Sequence, residues 1–122
     1  MRFTQEPSAG TNLIRAYGGG ELRVNDALYR GAVILSGTEI LSEPDMRDLS
    51  DTVKIDPARI LALGPEVILL GTGPRQIFPP AHFGAQFLQA GIGFEVMDTG
   101  AACRTFNVLA AEQRRVVAIL LL

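Results

Sequence analysis

The sequence has few of the residues from which catalytic and metal centres are usually built. Its 122 residues hold one cysteine, Cys103, one histidine, His82, and no tryptophan. A single cysteine excludes an internal disulfide framework and any multi-cysteine metal cluster, and a single histidine excludes a multi-histidine zinc site. Neither charge sign is in large excess. With 11 Lys+Arg against 13 Asp+Glu the formal net charge is -2, without the basic surplus that phosphate neutralisation requires, so no nucleic-acid partner is expected. No basic N-terminal segment leads into an apolar stretch of about 7–15 residues, so no secretory signal is read. The most apolar run, Val116 to Leu122, is far shorter than the ~20 residues that cross a bilayer. A cytoplasmic protein without membrane insertion is expected. The absence of repeats and heptads argues against a fibrous or solenoid role.

What is present is an ordinary globular composition, 48% hydrophobic and 20% charged, in a chain of single-domain length that can bury roughly two thirds of its unfolded surface. Residues 1–20 are poor in apolar runs and end in Gly18-Gly19-Gly20, which reads as a partly ordered, partly extended arm and a loop ahead of one domain over 21–122. Asn25-Asp26, between Leu22-Arg23-Val24 and Ala27-Leu28-Tyr29, signals a hairpin. Gly31 to Ser36 has the β-branched content of a buried strand, which Gly37 to Pro44 extends or bends. Asp45 to Ile55 favours no single element.

From Asp56 onward, signals at several levels agree. Asp56-Pro57 supplies an N-cap carboxylate and a proline at the first helical position, and Gly64-Pro65 ends the short helix. Val67 to Leu70 suits a strand covered on both faces, followed by a tight loop at Gly71 to Arg75. Phe83, Phe87 and Ala90 share one face of a helix that Gly91 ends. Phe94 to Met97 reads as a strand near an edge or a sheet end, Asp98-Thr99 as the cap of a helix running toward Ala111, and Val116 to Leu121 as a buried strand. Helices alternating with strands predict an α/β fold, with a mixed central sheet built on parallel βα units and helices on its faces. The N-terminal strands join that sheet or form a small second β layer.

Gly64 to Gly73, together with Gly91 to Leu109, resembles a small domain-of-unknown-function family that also contains a mitochondrial respiratory complex I assembly factor and an adipogenesis-associated domain protein. The resemblance spans about Gly31 to Leu122 and is most specific over Asp98 to Leu109. It implies a compact single domain with a mixed sheet and flanking helices, no established enzymatic activity, and assembly or scaffolding work.

The residues themselves suggest one candidate site. Gly71-Thr72-Gly73 follows a predicted strand, where open parallel sheets hold ligands beyond their strand ends. It is not a dinucleotide fingerprint, since position 76 is Gln and Pro74 interrupts the helix that would follow. Its backbone N–H groups and Arg75 suit a carboxylate or phosphate. Thr99 should emerge at the same strand end if the two strands are parallel, and Arg104 and Asn107, three apart on the next helix, add charge and hydrogen bonds to that rim. Each residue also has a plain structural reading: glycine in a tight turn, helix capping, a solvated helix face. Cys103 is expected as a small buried thiol and His82 as a surface residue. Glu43, Asp45, Asp48 and Asp51 read as a solvated acidic stretch rather than a metal site. No cofactor, metal or catalytic constellation is expected. Two functions stay open: a non-enzymatic binding or assembly module with a protein partner, and a small-molecule or anion-binding protein, catalytic or not, that uses the rim.

Overall fold

The computed structural model describes residues 4–6 and 11–122. In chain order the strands are β1 (Thr4–Glu6), β2 (Ile14–Gly18), β3 (Glu21–Val24), β4 (Ala27–Arg30), β5 (Ala32–Leu35), β6 (Ile40–Glu43), β7 (Val67–Thr72), β8 (Gly93–Met97) and β9 (Val116–Leu121). The helices are α1 (Leu49–Thr52), α2 (Pro57–Leu61), α3 (Ala81–Gln89) and α4 (Thr99–Ala111). Six strands form one mixed sheet in the order β1-β6-β5-β9-β7-β8, and β2-β3-β4 form a separate antiparallel sheet. β7 is parallel to β8 and to β9, whereas β5 is antiparallel to β6 and to β9. Both alternatives for the N-terminal strands are therefore realised, some joining the main sheet and some forming a second layer.

The apolar runs are continuous because the main sheet is covered on both faces. Along β9, Val117, Ile119 and Leu121 point into a core that includes Ile60 of α2 and Phe83 and Phe87 of α3. Val116, Ala118 and Leu120 point into a second core, closed by Ala102, Cys103 and Phe106 of α4 and by Leu22, Val24 and Tyr29 of the small sheet. The apolar stretch 119–121 is buried in the sheet, as its composition suggests. On α3, Phe83 and Phe87 are buried as their spacing predicts, but Ala90 is exposed, and Gly84 completes the inward face. A methyl group on Gly84 would stand 2.5 Å from the Phe94 ring, so the missing side chain is what lets β8 lie close against α3.

The local caps form where the sequence places them. The Asp56 carboxylate accepts from Ala58 N–H at 3.0 Å and the Asp98 carboxylate from Ala101 N–H at 2.8 Å. Asn25-Asp26 turns β3 into β4, with Val24 opposite Ala27 and Asn25 at φ 54°. Gly19 and Gly20 turn β2 into β3, both at positive φ as a two-residue hairpin turn requires.

Several expectations change. The stretch 37–44 neither extends nor bends β5 but returns antiparallel to it as β6, because the Ser36 hydroxyl accepts the N–H groups of Thr38 and Glu39 and reverses the chain. Within 45–55 the chain forms the short α1, with the Asp48 carboxylate as its cap. Glu43 is buried rather than solvated, its carboxylate accepting from Asp45 N–H at 3.1 Å. Of the segment expected as an arm, residues 1–3 and 7–10 lie outside the described residues, Thr4–Glu6 pairs with β6, and Ile14–Gly18 pairs with β3.

Candidate functional site

β7 continues through Thr72, so Gly71 and Thr72 are its last two residues and the loop begins at Gly73. Parallel pairing with β8 brings the start of α4 to the same sheet end, and the two segments bond reciprocally. Gly73 N–H donates to Thr99 Oγ1 at 2.7 Å, and Thr99 N–H donates to Gly73 C=O at 2.8 Å. The Thr99 hydroxyl then donates to Leu121 C=O at 2.6 Å, so one fully buried side chain ties β7, α4 and β9 together. Thr72 Oγ1 donates to Arg75 C=O at 2.6 Å and accepts from Ile77 N–H at 2.9 Å, which closes the loop on itself. Gly71 is packed under this junction, where an added Cβ would lie 2.9 Å from Thr99 Oγ1. Gly71, Thr72, Gly73 and Thr99 thus meet at one sheet end, where Arg75 contributes its backbone C=O, and the Gly73 N–H and both threonine hydroxyls are satisfied by the protein.

Arg104 and Asn107 take part in a different arrangement, facing β2. Asn107 bonds the backbone of Ile14 in both directions, Oδ1 accepting its N–H at 3.0 Å and Nδ2 donating to its C=O at 2.8 Å. The amide acts as a surrogate strand neighbour and fixes β2 to α4. Ile14 pairs with Val24, but Ala16 pairs with Arg23, so Arg15 is the extra residue of a β-bulge. The bulge puts Ile14 and Tyr17 on one face, opposite the buried Val24 and Leu22. Arg15, Tyr17, Gly100, Cys103 and Arg104 therefore border one hollow of about 280 Å³. The period-two pattern of a strand conceals Arg15 and Tyr17, because only a register shift across the pair reveals a bulge. Burial raises the Tyr17 phenol's pKa despite a hydrogen bond with Thr99, and the nearby Cys103 and Asp98 push it the same way.

Cys103 is buried and free. Burial pushes its thiol up to about 11; Arg104 opposes the shift and Asp98 reinforces it. His82 is on α3, which packs against the opposite face of the sheet from α4, so it is no base for this thiol. At pH 7.5 the thiolate fraction is below ~0.1%, and iodoacetamide followed by mass spectrometry is expected to leave native Cys103 unmodified while labelling it rapidly in urea. The folded state holds the thiol proton more tightly than the unfolded chain does, so this group's contribution to stability is complete below pH 9 and is lost as pH rises toward 11.

At the far edge of the main sheet lies a surface that the sequence did not mark. β8 is the terminal strand, and Gly93 N–H, bonded to Glu66 C=O, sets the alternation that turns the N–H and C=O groups of Phe94 and Val96 away from β7. Val96 C=O accepts from the Gln76 side chain at 2.9 Å. Beside this edge Ile77, Phe78 and Leu88 are 48%, 72% and 57% exposed, and Phe78, Pro80 and Leu88 line a groove of about 480 Å³ with Phe94 as part of its wall.

A family model described as a protein of unknown function (DUF498/DUF598) matches residues 14–121. The chain belongs to this DUF498/DUF598 family. The resemblance carried by Gly64–Gly73 and Gly91–Leu109 is thereby confirmed. This DUF498/DUF598 chain is 33% identical, over 99% of both sequences, to a Francisella tularensis protein called 13 kDa major membrane protein. It is also 43% identical over 56 residues to the Danio rerio NADH dehydrogenase [ubiquinone] 1 alpha subcomplex assembly factor 3, which covers 46% of this chain and 32% of that protein. The solution structure of a Bordetella pertussis protein described as a Mth938-like domain superposes with a TM-score of 0.75 at 29% identity, covering 99% of this chain and 92% of that one. Among the described residues no helix is long and apolar enough to cross a membrane.

Proposed function

We propose that the protein is a non-catalytic protein-binding module of the assembly type, which takes an extended segment of its partner along the outer edge of β8. The observation that carries this reading is the exposed Phe78 and Leu88 lining a groove beside β8, whose outer backbone groups pair with no other strand among the described residues. Addition of a strand satisfies such an edge through main-chain bonds, and pockets beside it select alternate side chains of the incoming segment. Exposed aromatic and aliphatic side chains that converge on a groove are typical anchors of protein interfaces. The similarity to an assembly factor supports the same reading. So does Cys103, because the thiol that would serve as a nucleophile is held protonated.

The test is affinity capture from the source lysate with wild type, with a Phe78→Ser, Leu88→Ser double variant, and with an Arg75→Glu, Arg104→Glu double variant. The expected result is a stoichiometric protein held by wild type and by the arginine variant but lost from the Phe78, Leu88 variant. On adding that protein, the Phe94 and Val96 amides should gain protection from hydrogen exchange. Equal capture by wild type and the Phe78, Leu88 variant, or protection confined to other strands, would overturn the proposal.

A further inference from the structure

We infer that the hollow between β2 and α4 is a binding site for a small oxyanion, the phosphate or carboxylate group of a small molecule. It is separate from the β8 edge and independent of the reading given for that edge. Arg15 and Arg104 both border it. The ion pairs among the described residues are Arg30–Glu21 and Arg114–Glu66, so neither of these two guanidinium groups has a carboxylate partner. The acidic residue of this corner, Asp98, accepts the Ala101 N–H as the cap of α4.

The position of Arg104 is informative in itself. Its Nη1 lies 3.5 Å from the point where a Gly100 Cβ would stand, so the side chain folds back over the first turn of its own helix. A cation near the positive end of a helix dipole is unfavourable, and the same field favours an anion placed there. The bulge places a second arginine, Arg15, at the border of the same hollow, a recurrent use of bulges beside functional sites. Two planar forks of N–H donors match the oxygens of phosphate or carboxylate. The walls are in place before any ligand arrives: Asn107 locks Ile14 to α4, Cys103 is buried, and Gly100 has no side chain to occupy the hollow. About 280 Å³ is room for a phosphate or carboxylate group with a short carbon skeleton.

The test is a ¹H–¹⁵N titration with inorganic phosphate and, separately, with acetate, each against sodium chloride at matched ionic strength. Saturable movement of the Ala16, Tyr17, Gly100 and Arg104 amides is expected at concentrations up to tens of millimolar. Response to phosphate alone identifies a phosphate group as the ligand chemistry, and response to acetate as well extends it to carboxylates. Arg15→Gln with Arg104→Gln is expected to weaken binding on the order of tenfold or more, while Arg23→Gln, which removes one positive charge from β3, leaves it unaltered. Gly100→Ala serves as a second variant that keeps both arginines. Its methyl group would sit 3.3 Å from Asp98 Oδ1 and 3.5 Å from Arg104 Nη1, and it should weaken binding with the fold intact. The inference is overturned if the movements are linear and equal in chloride, if no amide moves, or if the double variant retains wild-type affinity.

Discussion

Replacing Thr99 by valine is expected to lower the unfolding free energy by about 2–6 kcal/mol, although the two side chains are nearly the same shape. The hydroxyl accepts from Gly73 N–H and donates to Leu121 C=O, and the residue is fully buried. Valine fills the same volume and leaves both backbone groups without a partner, each at a cost of about 1–3 kcal/mol. Against a total stability of about 5–15 kcal/mol for a domain of this kind, that is a large fraction. Thr99→Ser keeps the hydroxyl and loses one methyl, so about 1 kcal/mol is expected. Urea denaturation of the three proteins separates the two effects: the midpoint of the valine variant should fall well below that of the serine variant, with a common m-value. Equal midpoints for serine and valine would show that water replaces the hydroxyl at this junction.

Gly31→Ala is expected to prevent folding, or to cost more than about 4 kcal/mol. Gly31 has φ 81°, and a Cβ there would fall 2.5 Å from the carbonyl oxygen of Pro44 and equally close to that of Glu43. Both obstacles are backbone atoms at the end of β6, so no rotamer change relieves them. The chain passes from the small sheet into the large one at this residue, and its carbonyl accepts Leu122 N–H at 3.0 Å. Gly37→Ala is the matched control: its Cβ would meet nothing within 4 Å, so a change within about 1 kcal/mol is expected. Soluble yield and thermal midpoint check the pair, and a normally folded Gly31→Ala protein would show that β6 can move away.

The parts of the fold that were legible in the sequence are those in which neighbouring residues decide the outcome. Asp56-Pro57, Asp98 and Gly91 mark helix ends through short-range chemistry, and the unbroken apolar runs of β7 and β9 report burial on both faces. The convergence of Gly73 and Thr99 was legible too, because it follows from parallel strands. What local pattern could not show depends on register between distant segments. The return of β6 along β5 rests on the Ser36 hydroxyl, and the burial of Glu43 follows from that pairing. Likewise Asn107 reads as a rim residue or a solvated helix residue until Ile14, 93 positions away, is placed against it. Arg15 and Tyr17 carry no local signal for the same reason, since a bulge exists only relative to a partner strand.

The place of β9 between β5 and β7 also sets the order of events at the ribosome. Residues 116–121 are synthesised after every other described strand, yet they join the antiparallel half of the sheet to its parallel half. Until they emerge, the β5–β6 hairpin and the β7–α3–β8 unit each present an uncovered strand edge flanked by side chains destined for the interior. The nascent chain therefore carries two half-sheets with open, aggregation-prone edges until β9 emerges to join them.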